Sequence, residues 1–271
     1  MSVTEYKATL ASLYETWASL HDLGKLLNES QWKTPTQCPG WSVQDNLSHI
    51  VGTERALGGL GDTTHRATRL EIVRNSLGEM NEHEVDSRRI LSGADVLKEF
   101  DQVTEIRSRF FESSGEEFFA QETMTPVGKS TMAEFLKIRA MDCWVHEQDM
   151  RRALNLPGGQ DSLSAALSIE FLCRTLPMVV GKRSAAPEGG AVVIHITGPV
   201  THKKAITIIN GRATVVEVLT STPLTEIFFD SNTFVQLATG RAMAQEVRAN
   251  WKVSGDTALG EKIVGALNMM I

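Results

Sequence analysis

Arg139, Asp142, His146 and Asp149 follow one another at intervals of three, four and three residues, which on an α-helix places all four on one face. Asp142 and His146 stand one turn apart and can offer an oxygen and a nitrogen to one ion about 2 Å away. Four ionisable groups on the inward seam of a helix are costly to bury unless they are paired or coordinated. The competing reading is a solvated face laced with i,i+3 and i,i+4 ion pairs, and spacing alone favours it. The segment HEQDM is not a zincin motif, because Met150 stands where the second histidine is required. A third ligand must come from another element.

Of the seven histidines, His49 is the strongest candidate, lying between Leu47 and Ile50 near the inward side of an earlier helix. A lone histidine in such a place is more often a hydrogen-bonded core residue. His83, between Glu82 and Glu84, is its rival, but consecutive helical residues point apart and chelate poorly. His21, His65, His195 and His202 have no helpful neighbours.

The elements that position these residues follow from periodicity. Tyr6, Leu10, Leu13, Trp17, Leu20, Gly24 and Leu27 recur in steps of four and three, the stripe of an amphipathic helix. TPTQCPGWS reads as a loop, with Ser42 capping a second helix over 43–56 and Asp45 favouring its positive end. Val43, Leu47, Ile50 and Leu57 face inward. A third helix over 94–112 aligns Val96, Phe100, Val103 and Phe110, and a fourth over 131–154 ends before Pro157-Gly158-Gly159. Four such helices predict an antiparallel four-helix bundle. After residue 160 the character changes. A helix over 163–180 precedes three strand-like runs at 191–198, 204–211 and 213–221, then helices over 224–239 and 258–270. This predicts a small α+β domain on a mainly antiparallel sheet, with the boundary near 155–162.

The composition is that of a globular protein with a core: 42% hydrophobic and 22% charged over 271 residues. The net charge of −6 provides no basic footprint for nucleic acid or an anionic membrane. Cys38, Cys143 and Cys173 are widely spaced, which fits a reducing compartment. With no signal-peptide pattern at the start and no apolar run near the ~20 residues of a membrane helix, a cytoplasmic location is expected.

The segment WKTPTQCPGWSVQDNLSHI (32–50) resembles the opening signature of the mycothiol-dependent maleylpyruvate isomerase-like family, and RAMDCWVHEQDMRRALNLPG (139–158) resembles its second signature. The resemblance implies a DinB-like, metal-binding four-helix bundle over 1–158 and a smaller, sterol-carrier-like α+β domain over 159–271. It also implies a divalent metal, usually zinc, held by a histidine of the second helix and by a carboxylate and a histidine one turn apart on a later one. Those positions are His49, Asp142 and His146. The characterised isomerase type has the longer Glu where this chain has Asp142. The implied cosubstrate is mycothiol, and the implied outcome is isomerisation or S-transfer on a small electrophilic substrate.

Three protein ligands leave a coordination position open, as in catalytic zinc sites, and a thiol occupying it would ionise. Asp149 could orient a ligand from behind, an ion pair being its alternative, and Arg139 could balance the site's carboxylates. Arg241, in T-G-R, is the candidate anion-binding group of the second domain. Cys38 and Cys143 read as structural, and Trp41 and Trp144 as packing residues. Two other functions compete: a metal- or ligand-binding module without catalysis, and a metal-dependent hydrolase with Glu54 or Asp149 as base.

Overall fold

The computed structural model describes residues 3–71 and 73–269, and the chain divides between Leu167 and Ser168 into two compact units. In the first, α1 (Val3–Lys25), the short α2 (Glu29–Trp32), α3 (Val43–Leu57), α4 (Ser76–Arg88), α5 (Gly93–Ser113) and the short α6 (Glu116–Ala120) follow in order. The hairpin β1 (Glu122–Thr125) and β2 (Gly128–Thr131) then leads into α7 (Met132–Leu154). The four long helices close a ring in which α7 packs between α1 and α3, and α5 completes the circuit. Their apolar stripes meet in one core: Leu13, Trp17 and Leu20 of α1, Leu47 and Ile50 of α3, Phe100 and Val103 of α5, Leu136 and Cys143 of α7. The expected bundle is present.

Two departures bear on the site. Phe110 is exposed, and Phe111 is buried in its place. The stripe of α5 runs instead through Arg107, which is buried because it meets a carboxylate of α3. Helix α4 was not expected, since its inward face is Glu82, Glu84, Val85 and Arg88 and carries almost no apolar signal. Ion pairs satisfy that face: Arg88 bonds Glu84 at 2.8 Å and Glu99 at 2.9 Å. Gly52 lets α4 approach α3, because a Cβ there would lie 2.6 Å from the Glu84 side chain.

The helix α8 (Leu163–Cys173) spans the division between the units, and α9 (Leu176–Met178) follows it. The stretch Leu163–Arg183 is long and apolar enough to cross a membrane by length and composition, contrary to the sequence expectation. Half of it is buried, including Ile169, Leu172, Leu176 and Val180, as in the core helix of a globular unit.

The second unit holds β3 (Ala191–Thr197), β4 (His202–Ile209), β5 (Arg212–Val216), β6 (Thr225–Asp230), α10 (Ser231–Ala238), β7 (Trp251–Gly255) and α11 (Thr257–Gly265). The sheet order is β5-β4-β3-β6-β7, antiparallel except for the β3–β6 pair, and α10 and α11 pack on it. The central β3 is buried almost throughout, as a strand covered on both faces must be. The helix expected over 224–239 is a strand followed by a helix. Thr225, Ile227 and Phe229 alternate inward, a period of two, and Asp230 then caps α10 by accepting from the Thr233 N–H. The last helix ends at Gly265, ahead of the expected 270, and Met270 lies outside the described residues.

Candidate metal centre

The site is assembled from two helix segments whose starts are tightly set. Ser42 caps α3 in a capping box, its side chain accepting from the Asp45 N–H while the Asp45 side chain accepts from the Ser42 N–H at 2.8 Å. With Val43, Leu47 and Ile50 wholly buried, the rotation of α3 brings Asn46 and His49 towards α7. That helix is capped by Thr131 and stopped by Asn155 in the left-handed region, φ +53°.

The four-residue stripe of α7 is not a solvated face. Arg139, His146 and Asp149 are buried, and only Asp142 keeps a substantial part, 28%, of its side chain exposed. Nε2 of His49 lies 3.1 Å from Oδ2 of Asp142, and Nε2 of His146 lies 3.7 Å from Oδ1. Two donors bound tetrahedrally at about 2.1 Å stand ~3.4 Å apart, so these separations bracket what one ion requires. All three residues have ligand atoms within 4.8 Å of one another, and two imidazoles with a carboxylate form a zinc-compatible donor set. Burial raises the pKa of Asp142, but the charges of His49, Arg139 and His146 and the hydrogen bond from His49 outweigh it, holding the carboxyl well below its ordinary range.

The imidazole of His146 is oriented from behind. Asn46 Nδ2 donates to the Ser42 carbonyl at 2.8 Å and to Thr36 Oγ1 at 3.0 Å, so the atom 2.7 Å from His146 Nδ1 is the amide oxygen. A proton therefore sits on Nδ1, so the neutral tautomer that can ligate a metal presents the lone pair of Nε2 on the side of Asp142. Asp149 is also behind His146, its Oδ2 3.6 Å from Nδ1 and its Oδ1 bonded by Arg152 at 2.5 Å. Nδ1 of His49, in contrast, is buried with no hydrogen-bond partner among the described residues.

Sequence reasoning missed several neighbours. The Trp41 ring packs against both imidazoles, with centroids 5.2 Å from His49 and 5.6 Å from His146, and its Nε1 donates to Glu82 at 2.9 Å. Trp144 instead packs and donates to the Gly159 carbonyl. Cys38 joins His146 and Asp149 in a second triad within 4.8 Å, a proximity its place in the preceding loop did not reveal. His83 belongs to neither triad: Nδ1 accepts from the Ala67 N–H, and Nε2 is 3.7 Å from Glu79. Glu54, weighed as a general base, is fully buried between two guanidiniums, Arg139 Nε at 2.9 Å and Arg107 Nε at 3.0 Å. Arg139 extends that network to Asp142 Oδ2 at 2.7 Å. Arg241 lies in the second unit just after α10, its Nη1 donating to the Thr239 carbonyl at 2.9 Å.

A cavity of about 660 Å³ opens beside the triad within the first unit, and His49, Asp142 and Arg139 form part of its wall. A cavity of this size is within the range that takes a drug-sized ligand, about 300–1,000 Å³.

Comparison with known proteins adds four observations. Residues 13–151 match the family model described as the mycothiol maleylpyruvate isomerase N-terminal domain. The solved structure of the mycothiol-dependent maleylpyruvate isomerase and that of a histidine-to-alanine variant share the fold, with TM-scores of 0.57 and 0.58 at 13% identity over 92% of this chain and of theirs. A sterol carrier protein-2-like structure from Aedes aegypti, 16% identical, spans 35% of this chain and 92% of its own with a TM-score of 0.26, too low to carry an argument. No curated protein matches the sequence.

Proposed function

The chain belongs to the mycothiol maleylpyruvate isomerase N-terminal domain family, and on that premise we propose that it is an enzyme holding a divalent metal, zinc by its donor set, on His49, Asp142 and His146. In this reading it activates a low-molecular-weight thiol, mycothiol, for isomerisation or S-transfer on a small electrophilic substrate. The observation that carries the proposal is the convergence of both Nε2 atoms on the two oxygens of Asp142, at 3.1 and 3.7 Å, on the wall of a cavity.

A metal held there supplies positive charge that lowers the pKa of a thiol in its open position. The chain's own residues do the rest. Asn46 keeps the lone pair of His146 aimed at the site, with Asp149 beside the same nitrogen. Arg139 holds the Asp142 carboxylate at 2.7 Å and is itself anchored by Glu54. For isomerisation, sulfur adds to an electrophilic carbon of a double bond, the remaining single bond rotates, and expulsion of the thiolate restores the double bond. For S-transfer the adduct is released.

Hydrolysis is the weaker reading, because it needs a base beside an attacking water. Glu54 is taken by two arginines, and Asp149 stands behind His146. We assign no step to Arg241.

The test combines metal content with turnover. Purified protein is expected to contain metal, His49→Ala and His146→Ala are expected to lose it, and zinc-loaded protein is expected to consume an electrophile only when a thiol is present. Full metal content in both variants would sink the ligand assignment. Turnover that proceeds equally without thiol would exclude thiol activation.

A further inference from the structure

The cavity beside Asp142 has a chemical character of its own. Its walls are largely apolar, formed by Leu57, Leu77, Met80, Met124, Phe135 and Ile138. Three of these, Leu77, Met80 and Met124, are 41%, 56% and 73% exposed. Large apolar side chains gathered around one concavity and left to water mark a surface that a ligand covers. Two come from α4, a helix with little apolar character, whose remaining large apolar residue, Val85, is the one that turns inward.

The charges lining the cavity point the same way. Asp62, Glu79, Glu84 and Asp142 stand against two guanidiniums, Arg66 and Arg139. Arg139 donates to Glu54, Asp142 and Cys143, one from each of its three nitrogens. Arg66 bonds the carbonyls of Thr63 and His65 through Nη1. Even with a divalent ion on the triad the carboxylates and cations of this wall only balance, so a substrate with two carboxylates would gain no excess of positive charge and would find Arg139, the cation nearest the triad, already bonded to protein partners. An apolar body would meet matching walls.

Building on the thiol-activation reading, we propose that the second substrate is a predominantly apolar electrophile without a carboxylate, such as an aryl- or alkyl-substituted α,β-unsaturated ketone. Thiol addition then forms a carbon–sulfur bond at the β-carbon and breaks the carbon–carbon π bond, and the proton released by the thiol ends on the α-carbon. Leu77, Met80 and Met124 determine specificity by covering the apolar portion.

Binding of unreactive probes separates this proposal from the chemistry. 4-Phenylbutan-2-one and succinate are titrated by calorimetry into zinc-loaded protein and into protein stripped with a chelator. The ketone is expected to bind at least ~10-fold more tightly than succinate in both preparations. Leu77→Asp and Met80→Glu, at exposed positions where substitution costs little stability, are expected to weaken ketone binding about tenfold while metal content and thermal midpoint stay unchanged. Equal or tighter succinate binding to stripped protein, above all if Arg241→Gln removed it, would overturn the proposal. So would ketone binding indifferent to both wall variants. If the ketone preference holds but the unsaturated ketone gives no thiol-dependent turnover, the thiol-activation reading fails while the cavity's selectivity stands.

Discussion

The amide oxygen of Asn46 lies 2.7 Å from Nδ1 of His146, and the amide nitrogen of the same side chain is committed to the Ser42 carbonyl at 2.8 Å. That pairing leaves His146 one neutral tautomer, the one whose Nε2 lone pair lies on the side of Asp142. His49 has no comparable restraint, since its Nδ1 is buried without a partner among the described residues. Of the two imidazoles of the candidate centre, only that of His146 has its Nδ1 bonded to a side chain among the described residues.

Asn46→Leu should therefore leave a metal site in place but weaken it. Loss of a partner that orients a ligating histidine costs roughly 10–100-fold in metal affinity. Competition with a chromophoric chelator measures this directly, and affinity equal to that of the parent protein would show that Asn46 does not orient the ligand.

Asp142→Asn removes the charge on which both Nε2 atoms converge. Its effect should exceed the ~10–100-fold expected from an outer-shell change, leaving little metal after dialysis. Elemental analysis of the dialysed variant decides the matter, and stoichiometric metal would place the ion elsewhere.

Glu54 is 1% exposed and lies between Arg107 and Arg139. Glu54→Gln leaves two buried guanidiniums short of a counter-charge, a change that destabilises by about 3–5 kcal/mol when a buried pair is broken. Urea unfolding of the parent and variant provides the comparison. A difference under ~1 kcal/mol, typical of solvated pairs, would mean the network is hydrated in solution.

The three cysteines should separate by reactivity and pH. Burial raises the thiol pKa of Cys143, and it pushes that of Cys173 up to about 12, while Cys38 is only half-buried. A raised thiol pKa means less thiolate at any given pH, about tenfold less per unit, so alkylation of Cys173 at pH 8 is suppressed and recovers only as pH climbs towards 12. Iodoacetamide at pH 8 should modify one thiol in the native protein and three in urea, read by mass spectrometry. Rapid native modification of all three would contradict the packing around Cys143 and Cys173.

The local elements were largely legible in the sequence, because helix stripes and caps act over a few residues. Ser42, Asp45 and the run Val43, Leu47, Ile50 defined α3 almost to its ends, and Pro157-Gly158-Gly159 marked where α7 must stop. Where burial is achieved by charge instead of hydrocarbon, periodicity is silent. This is why periodicity does not reveal α4, with Glu82, Glu84 and Arg88 on its inner face, and why it aligns Phe110 on α5 where Arg107 and Phe111 are the buried residues. In the second unit, composition does not separate Thr225–Asp230 from the helix after it, because a six-residue alternation and the start of an apolar helix draw on the same residues.

For the candidate centre, sequence alone determined that Asp142 and His146 share a helix face, that His49 lies near the inward side of another helix, and that the surrounding segments resemble two signatures of one family. It could not say whether the polar stripe faced water or protein, since a solvated ion-paired face and a buried one have the same spacing. Tertiary structure decided that. The packing of α7 against α3 buried Arg139, His146 and Asp149, set the Nε2 atoms of two helices against one carboxylate, and brought Asn46 from α3 behind His146. It also locked Glu54 between two arginines and built an apolar cavity from α4 and the hairpin beside the triad. These are contacts between residues tens of positions apart, governed by how whole helices pack, and no local pattern in the chain encodes them.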